Sequence, residues 1–469
     1  MPKVGLVSLG CQKNRVDSEV MLGLLQQAGC QITTDAAEAE VIIVHSCAFI
    51  EAAKEESIDT ILEMGELKKQ GNCRKLIVSG CLSERYREEL SREIPEIDVL
   101  IGTGDLQRIV DICQSLVLEH HHDPFYRRQE KREKTRPQMW FQQKGFLYDA
   151  DTPRLRTTPS HTAYVKIAEG CDYRCTFCII PHLRGRQQSR TRESIVQEVR
   201  ALAAQGVKEV NLIAQTINTY GRDRYGRPQL VSLLEDLASI QGICWIRLLY
   251  NYPTDVTPEL ITLMAQEPKI CPYFDLPLQH CNDTLLKAMN RKGRRKDIER
   301  LLHTIRETLP EAIIRTTFIV GFPGERERDF QELLRFVETV QFDRVGVFTY
   351  SREEGTPAAL MKSQVPQAVK ERRRHRLMEV QRAISRRKNE ALVGTIQEVL
   401  IDGPSPDLEY VMEGRTRGQA PEIDGVVYIE GEQPSPGQLV PVRITRALDY
   451  DLIGEVVPQR GASQITVSG

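Results

Sequence analysis

Two hydrophobic rhythms alternate along the chain. Over residues 1–118, short continuous apolar runs (KVGLVSLG, VIIVHSC, KLIVSGC and VLIGTG) read as buried strands. Between them, apolar positions recur at helical spacing, as in VDSEVMLGLLQQAG, with Gly29 as the stop signal. Strands and helices in this order predict an open parallel α/β sheet flanked by helices. GTGDLQ at 102–107 has two glycines and then Gln107 where a third would stand, so it is not a dinucleotide fingerprint.

Residues 119–160 break the rhythm. From Pro124 to Arg156 nine Lys/Arg stand against four Asp/Glu. A solvated basic linker is expected, with a docking segment beside the active site as the alternative. A second alternation then supplies six strand candidates, TAYVKIA, EVNLIA, WIRLLY, YFDLPLQ, IIRTTFIV and RVGVFTY, separated by helical patterns such as ESIVQEVRALAAQG. Six β/α repeats predict a partial (β/α)6 barrel rather than a closed eight-fold one. A basic helix follows, with nine positive and two negative residues between Lys370 and Lys388, so this unit spans 161–388. Short β-like runs with Gly/Pro turns over 389–458 predict a small antiparallel barrel, and 459–469 a flexible tail. The fold class is therefore multidomain α/β.

Composition narrows the picture a little. The chain has 469 residues, 41% hydrophobic and 27% charged, with net charge −2, which selects no partner. No apolar run reaches 18 residues, so no membrane span is expected. MPKVGLVSLG reads as a strand and not a signal peptide, which makes the cytoplasm the default location. Twelve cysteines then point to reduced thiols, metal ligands or catalysis rather than to disulfides.

Two sets of three cysteines stand out. Cys171, Cys175 and Cys178 form C-x3-C-x2-C directly after the first barrel strand. They therefore lie at the mouth where such barrels carry their active sites. A structural zinc site needs four ligands, and only His182, just past a proline, follows closely. Three thiolates suit an iron–sulfur cluster with one iron left open to a substrate. Cys11, Cys47 and Cys81 each follow a predicted strand, and strand ends of a parallel sheet share one edge. They can converge there, although small buried packing residues are the alternative. Cys30, Cys73, Cys113, Cys244 and Cys271 read as packing residues, and Cys281 beside LPLQH is open.

The motifs SLGCQKNRVDSE, CTFCIIPHLRGRQQSR, LPLQHCNDTLLKAMNR, FIVGFPGE and YSREEGTPA together resemble the radical S-adenosylmethionine methylthiotransferases, over nearly the whole chain. LPLQH and EEGTPA lean to the RimO-like branch, which modifies an aspartate of the small-subunit ribosomal protein at the decoding centre. AQTINTYG, with Asn218, is closer to the tRNA-modifying MiaB-like branch. The resemblance implies a C-terminal TRAM domain and two [4Fe–4S] clusters. Cys171, Cys175 and Cys178 would hold the one that binds S-adenosylmethionine, and Cys11, Cys47 and Cys81 the other. It implies a 5′-deoxyadenosyl radical that takes a hydrogen from the substrate, a methylthio group transferred from the second cluster, and two S-adenosylmethionine molecules. Phe177, Gln215, Gln279 and Gly321 are expected S-adenosylmethionine contacts, with a scaffold role as the alternative. The sulfur donor, the electron donor and the oligomeric state stay open.

Charge bears on the substrate. Residues 391–469 carry 12 Asp/Glu against five Arg, a net −7. An RNA-binding barrel should be basic. An acidic one suits a basic ribosomal protein, with a plain solubility surface as the alternative. A tRNA methylthiotransferase and a non-catalytic iron–sulfur or RNA-binding protein are the competing functions.

Overall fold

Six parallel strands make the N-terminal sheet: β1 (Lys3–Ser8), β2 (Gln31–Thr33), β3 (Val41–Ser46), β4 (Lys75–Gly80), β5 (Val99–Ile101) and β6 (Gln138–Trp140). Their order is β2-β1-β3-β4-β5-β6. The computed structural model describes residues 2–119, 136–407 and 409–458. The expected flexible tail at 459–469 and the most basic part of the expected linker, 120–135, lie outside the described residues. β3 and β4 are buried at every position, which is why they read as continuous apolar runs. The linker expectation for 119–160 needs correction in its described part. β6 pairs with β5 as the sheet's sixth strand, and Arg154 is buried against Glu19 and Glu198.

The central unit has the six expected parallel strands. β7 (Thr162–Lys166) is followed by a short antiparallel pair, β8 (Ala168–Glu169) and β9 (Gln188–Ser189). Then come β10 (Glu209–Ile213), β11 (Trp245–Leu248), β12 (Tyr273–Gln279), β13 (Ile313–Val320) and β14 (Arg344–Thr349). They form two three-stranded sheets, β11-β10-β7 and β12-β13-β14, joined by a single bridge between Ile246 and Ile270. One set of alternate side chains, including Ala163, Val165, Val210, Leu212, Ile246 and Leu248, packs against the surrounding helices. The other set lines the concave side.

A closed eight-stranded barrel fills its own interior with side chains. Six strands leave it open, and the flanking domains fill it instead. Lys166 reaches Asp17 and Glu169, the Tyr164 hydroxyl donates to Pro421 O at 3.1 Å, and Arg247 donates to Arg417 O at 2.7 Å.

The last unit is a closed barrel of β15 (Ile396–Pro404), β16 (Met412–Thr416), β17 (Val427–Glu430), β18 (Leu439–Ala447) and β19 (Leu452–Val456), in the order β15-β16-β17-β19-β18. Four seams are antiparallel, while β17 and β19 pair in parallel. The basic helix is Gln367–Glu390. Much of its charge is already neutralised or buried: Lys370 and Arg373 are buried, Arg373 pairs with Glu325, Lys388 with Asp343 and Arg386 with Glu390. It is a strut between the two barrels more than a free basic face. Among the described residues no helix is long and apolar enough to cross a membrane.

Candidate active site

β1, β3 and β4 are adjacent, so their carboxyl ends lie side by side. Cys11 caps helix Gln12–Gln27, Cys47 directly follows β3, and Cys81 follows β4 and opens the short helix Cys81–Arg85. Glycine lets these loops meet. Gly10 has φ +90°, and a Cβ there would sit 2.7 Å from Cys47 Cβ and 2.9 Å from its Sγ. Burial first, then the neighbouring Cys81 and Cys11, push the Cys47 thiol up to about 12. Bare thiolates are therefore costly here, and a cationic group bound by the sulfurs would relieve that cost.

Cys171, Cys175 and Cys178 follow β8 at the carboxyl end of the barrel. The loop is pinned from both sides: Cys171 N–H donates to Gly185 O at 3.1 Å and Thr176 N–H to Met289 O at 3.0 Å. Arg291 Nη1 lies 3.9 Å from Cys175 Sγ. Burial, then Cys175, push the Cys178 thiol up to about 12. His182 is exposed. Among the described residues no group of three or more His, Cys, Asp or Glu side chains is placed to hold a single metal ion, so no closed zinc site is formed. Ligands of an iron–sulfur cluster bind different irons and need not converge on one point.

The four expected S-adenosylmethionine contacts fall in different settings. Phe177 packs half-buried against the apolar cluster that includes Leu285, Met289 and Phe322. Gln215 follows β10 and donates to Glu169 Oε1, while its own side-chain oxygen is buried without a partner. Gln279 ends β12 in the left-handed region (φ +72°), and its side-chain oxygen is likewise buried and unpartnered. Gly321 (φ +73°) donates its N–H to Glu325, and a Cβ there would come 2.3 Å from Lys370 Cγ. Packing against Lys370 therefore accounts for this glycine without a ligand. Cys281 is a buried core residue, its thiol pushed up to about 12 by burial.

Sequence reasoning missed the joint between the two cysteine sets. Helix Ile180–Arg184 starts two residues after Cys178, and its last residue enters the N-terminal domain. Arg184 donates to Glu169 Oε2 at 2.8 Å, Asp17 Oδ2 at 3.1 Å and Asn14 Oδ1 at 2.5 Å. Asn14 in turn donates to Leu9 O at 2.8 Å and Ser46 O at 3.0 Å, tying the loops that carry Cys11 and Cys47. Lys166 completes the cluster through Asp17 and Glu169. All four charged groups are at most 2% exposed. Against the opposing effect of burial, Arg184 and Lys166 hold the Glu169 carboxyl down to about 2.

Lys13, in the same helix turn, places its ammonium 3.1 Å from the centroid of Tyr250, just beyond β11. Burial lowers Lys13 to about 8, against the opposing pull of the Cys11 sulfur. The signal was present in SLGCQKNRVDSE, whose polar residues sit on a buried helix. Read alone, they resemble a solvated face.

The comparisons with known proteins fit this layout. Residues 3–102 match the uncharacterized protein family UPF0004, residues 165–337 the radical SAM superfamily, and residues 393–457 the TRAM domain. Among solved structures, the radical S-adenosylmethionine methyltransferase TsrM from Kitasatospora setae, with tryptophan and a SAM analogue, aligns at TM-score 0.55. That alignment covers 81% of this chain and 89% of that one at 14% identity, a likeness of fold alone. The ribosomal protein uS12 methylthiotransferase RimO of Geobacter sulfurreducens is 49% identical over 97% of this chain and 98% of its own. The RimO of Syntrophotalea carbinolica is 50% identical over 97% of each. With alignments at that identity spanning nearly the whole of each chain, the chain belongs to the RimO family of radical SAM methylthiotransferases.

Proposed function

We propose that this protein inserts a methylthio group at the β-carbon of an aspartate of ribosomal protein uS12. The observation that carries this reading is the near-full-length identity to enzymes named for that reaction. The site agrees with it. Each cysteine set offers sulfur donors alone, which suits iron–sulfur clusters and not hard cations. Cys171, Cys175 and Cys178 would hold one [4Fe–4S] cluster together with S-adenosylmethionine, and Cys11, Cys47 and Cys81 a second. Bound there, these groups supply the radical, sulfur and methyl chemistry that side chains lack.

The chain's own residues position and enclose. Arg184 and Asn14 fix the spacing of the two thiol sets. The unpartnered oxygens of Gln215 and Gln279 offer acceptors to a polar ligand at the barrel mouth, and Phe177 offers an apolar wall. The acidic terminal barrel suits a basic ribosomal protein. Asn218, the residue closest to the tRNA-modifying pattern, is buried, accepts from Tyr252 N–H at 2.7 Å and donates to Asn251 at 3.1 Å. It braces a loop at the mouth, which accounts for the residue without a nucleic-acid contact.

The test is to incubate anaerobically reconstituted protein, S-adenosylmethionine, reductant and sulfide with uS12 and, separately, with tRNA. Mass spectrometry of peptides and nucleosides should find methylthio-aspartate alone. A methylthiolated adenosine, or no product in either, would overturn the reading.

A further inference from the structure

Lys13 is 6% exposed, yet among the described residues no carboxylate or carbonyl receives a hydrogen bond from its ammonium; it stands over the Tyr250 ring, and the strongest counter-charge acting on it is the Cys11 sulfur two residues away. The other buried cations between the two thiol sets are committed. Arg184 serves Asp17, Glu169 and Asn14, and Lys166 serves Asp17, Glu169 and Phe146 O. The acids near Lys13 are committed as well: Glu169 to those two cations, and Asp275 to Arg315 at 2.6 Å and Tyr250 N–H at 2.8 Å.

The position of Lys13 is built rather than incidental. Tyr250 is a non-glycine residue at φ +67°, and its hydroxyl donates to Gln12 Oε1 at 2.6 Å. A left-handed conformation is strained for an L residue that carries a Cβ. Lys13 also lies in the first turn of helix Gln12–Gln27, where no acidic residue stands. Its charge adds to the positive end of the helix dipole when it would ordinarily be avoided there. It stands two residues from Cys11, with its ammonium over Tyr250 just beyond β11.

On the proposed function, the substrate brings a carboxylate next to the carbon that reacts. A buried carboxylate without a cation is strongly unfavourable. We propose that Lys13 determines substrate specificity by receiving the side-chain carboxylate of the target aspartate, which places its β-carbon between the two cysteine sets. A charge-assisted hydrogen bond of about 2.8 Å to one carboxylate oxygen fixes that carbon only two bonds away. Asparagine has the same shape and can accept from the ammonium through its amide oxygen, but it brings no charge to neutralise the buried cation, so it binds more weakly.

The test uses reconstituted holoenzyme and two basic synthetic peptides spanning the uS12 target, one with the aspartate and one with asparagine in its place. Peptide binding is read by fluorescence anisotropy and turnover by product mass spectrometry. The parent should prefer the aspartate peptide by roughly tenfold or more in Kd and in KM, as expected for a hydrogen bond to a charged group. Lys13→Met should bring that ratio close to one, and Lys13→Arg should keep it. Because the ratio is taken within one preparation, partial loss of iron or of folded protein does not alter it. A K13M ratio equal to the parent's overturns the proposal, as does a K13R ratio near one. A parent that binds both peptides equally also overturns it while leaving the proposed function standing. A parent that methylthiolates neither the peptide nor full-length uS12 overturns the proposed function itself.

Discussion

Replacing Arg415 by Met should loosen the terminal barrel from the central one. Arg415, on β16, lies 2.8 Å from Glu209 Oε2 and makes two bonds to Asp402, at 2.7 and 2.9 Å. Its side chain is 3% exposed and that of Glu209 is 0% exposed. Removing one partner of a buried pair typically costs about 3–5 kcal/mol, because the remaining charge stays buried. Here Glu209 keeps Arg247 at 3.0 Å and Asp402 keeps His161 at 3.0 Å, so the lower end, about 3 kcal/mol, applies. That is roughly a hundredfold in the equilibrium for undocking. Hydrogen exchange of the β16–β19 amides, compared with those of β10 and β13, should report it as a local loss of protection.

Adding Asp402→Asn to Arg415→Met should recover part of the loss, since Glu209 still pairs with the buried Arg247 and no charge remains at position 402. Burial raises both carboxyls, but Arg415 with Arg247 for Glu209, and His161 with Arg415 for Asp402, hold them below their ordinary values of 4.5 and 3.8. Their stabilisation is therefore complete above those ordinary values. It is lost only as pH falls through the depressed ones. Docking in the parent should thus be independent of pH between about 6 and 8 and weaken only in acid. Protection in R415M within about 1 kcal/mol of the parent, or no recovery in the double variant, would refute the reasoning.

Three further outcomes test the site. Replacing Cys171, Cys175 and Cys178 together by Ala should leave about half the parent's iron and abolish S-adenosylmethionine cleavage, measured by iron assay and 5′-deoxyadenosine. Cys47→Ala should spare 5′-deoxyadenosine formation while stopping methylthio product, and normal product from it would remove the set of Cys11, Cys47 and Cys81 from the reaction. Reversing Glu409, Glu432 and Glu455, all exposed, to Lys takes the net charge of residues 391–469 from −7 to −1. Binding to uS12 should weaken most at low salt and non-specific tRNA binding should strengthen, both read by anisotropy across a salt series. Glu422 is unsuitable for this test, because it pairs with Arg15 and accepts from the Tyr164 hydroxyl.

The sequence by itself determined the division of labour along the chain. Strands buried on both faces had to be continuous apolar runs, so β3 and β4 were legible at once. The parallel order of such strands placed Cys11, Cys47 and Cys81 at one sheet edge before any contact was known. The motif wording carried the family. Local signals failed where elements are short or polar. β2 and β6 are three residues each, and β16 reads MEGRT, so each is held by pairing and not by its own pattern. Most of the joint at the site was illegible for a different reason. Asn14 and Arg184 are 170 residues apart, and Lys13 meets Tyr250 across a domain boundary. What each polar group does depends on which partner docking brings within about 3 Å, a distance that no local periodicity encodes. An incomplete barrel must be filled from outside, so the tertiary structure alone decided that the polar face of one helix would be buried there.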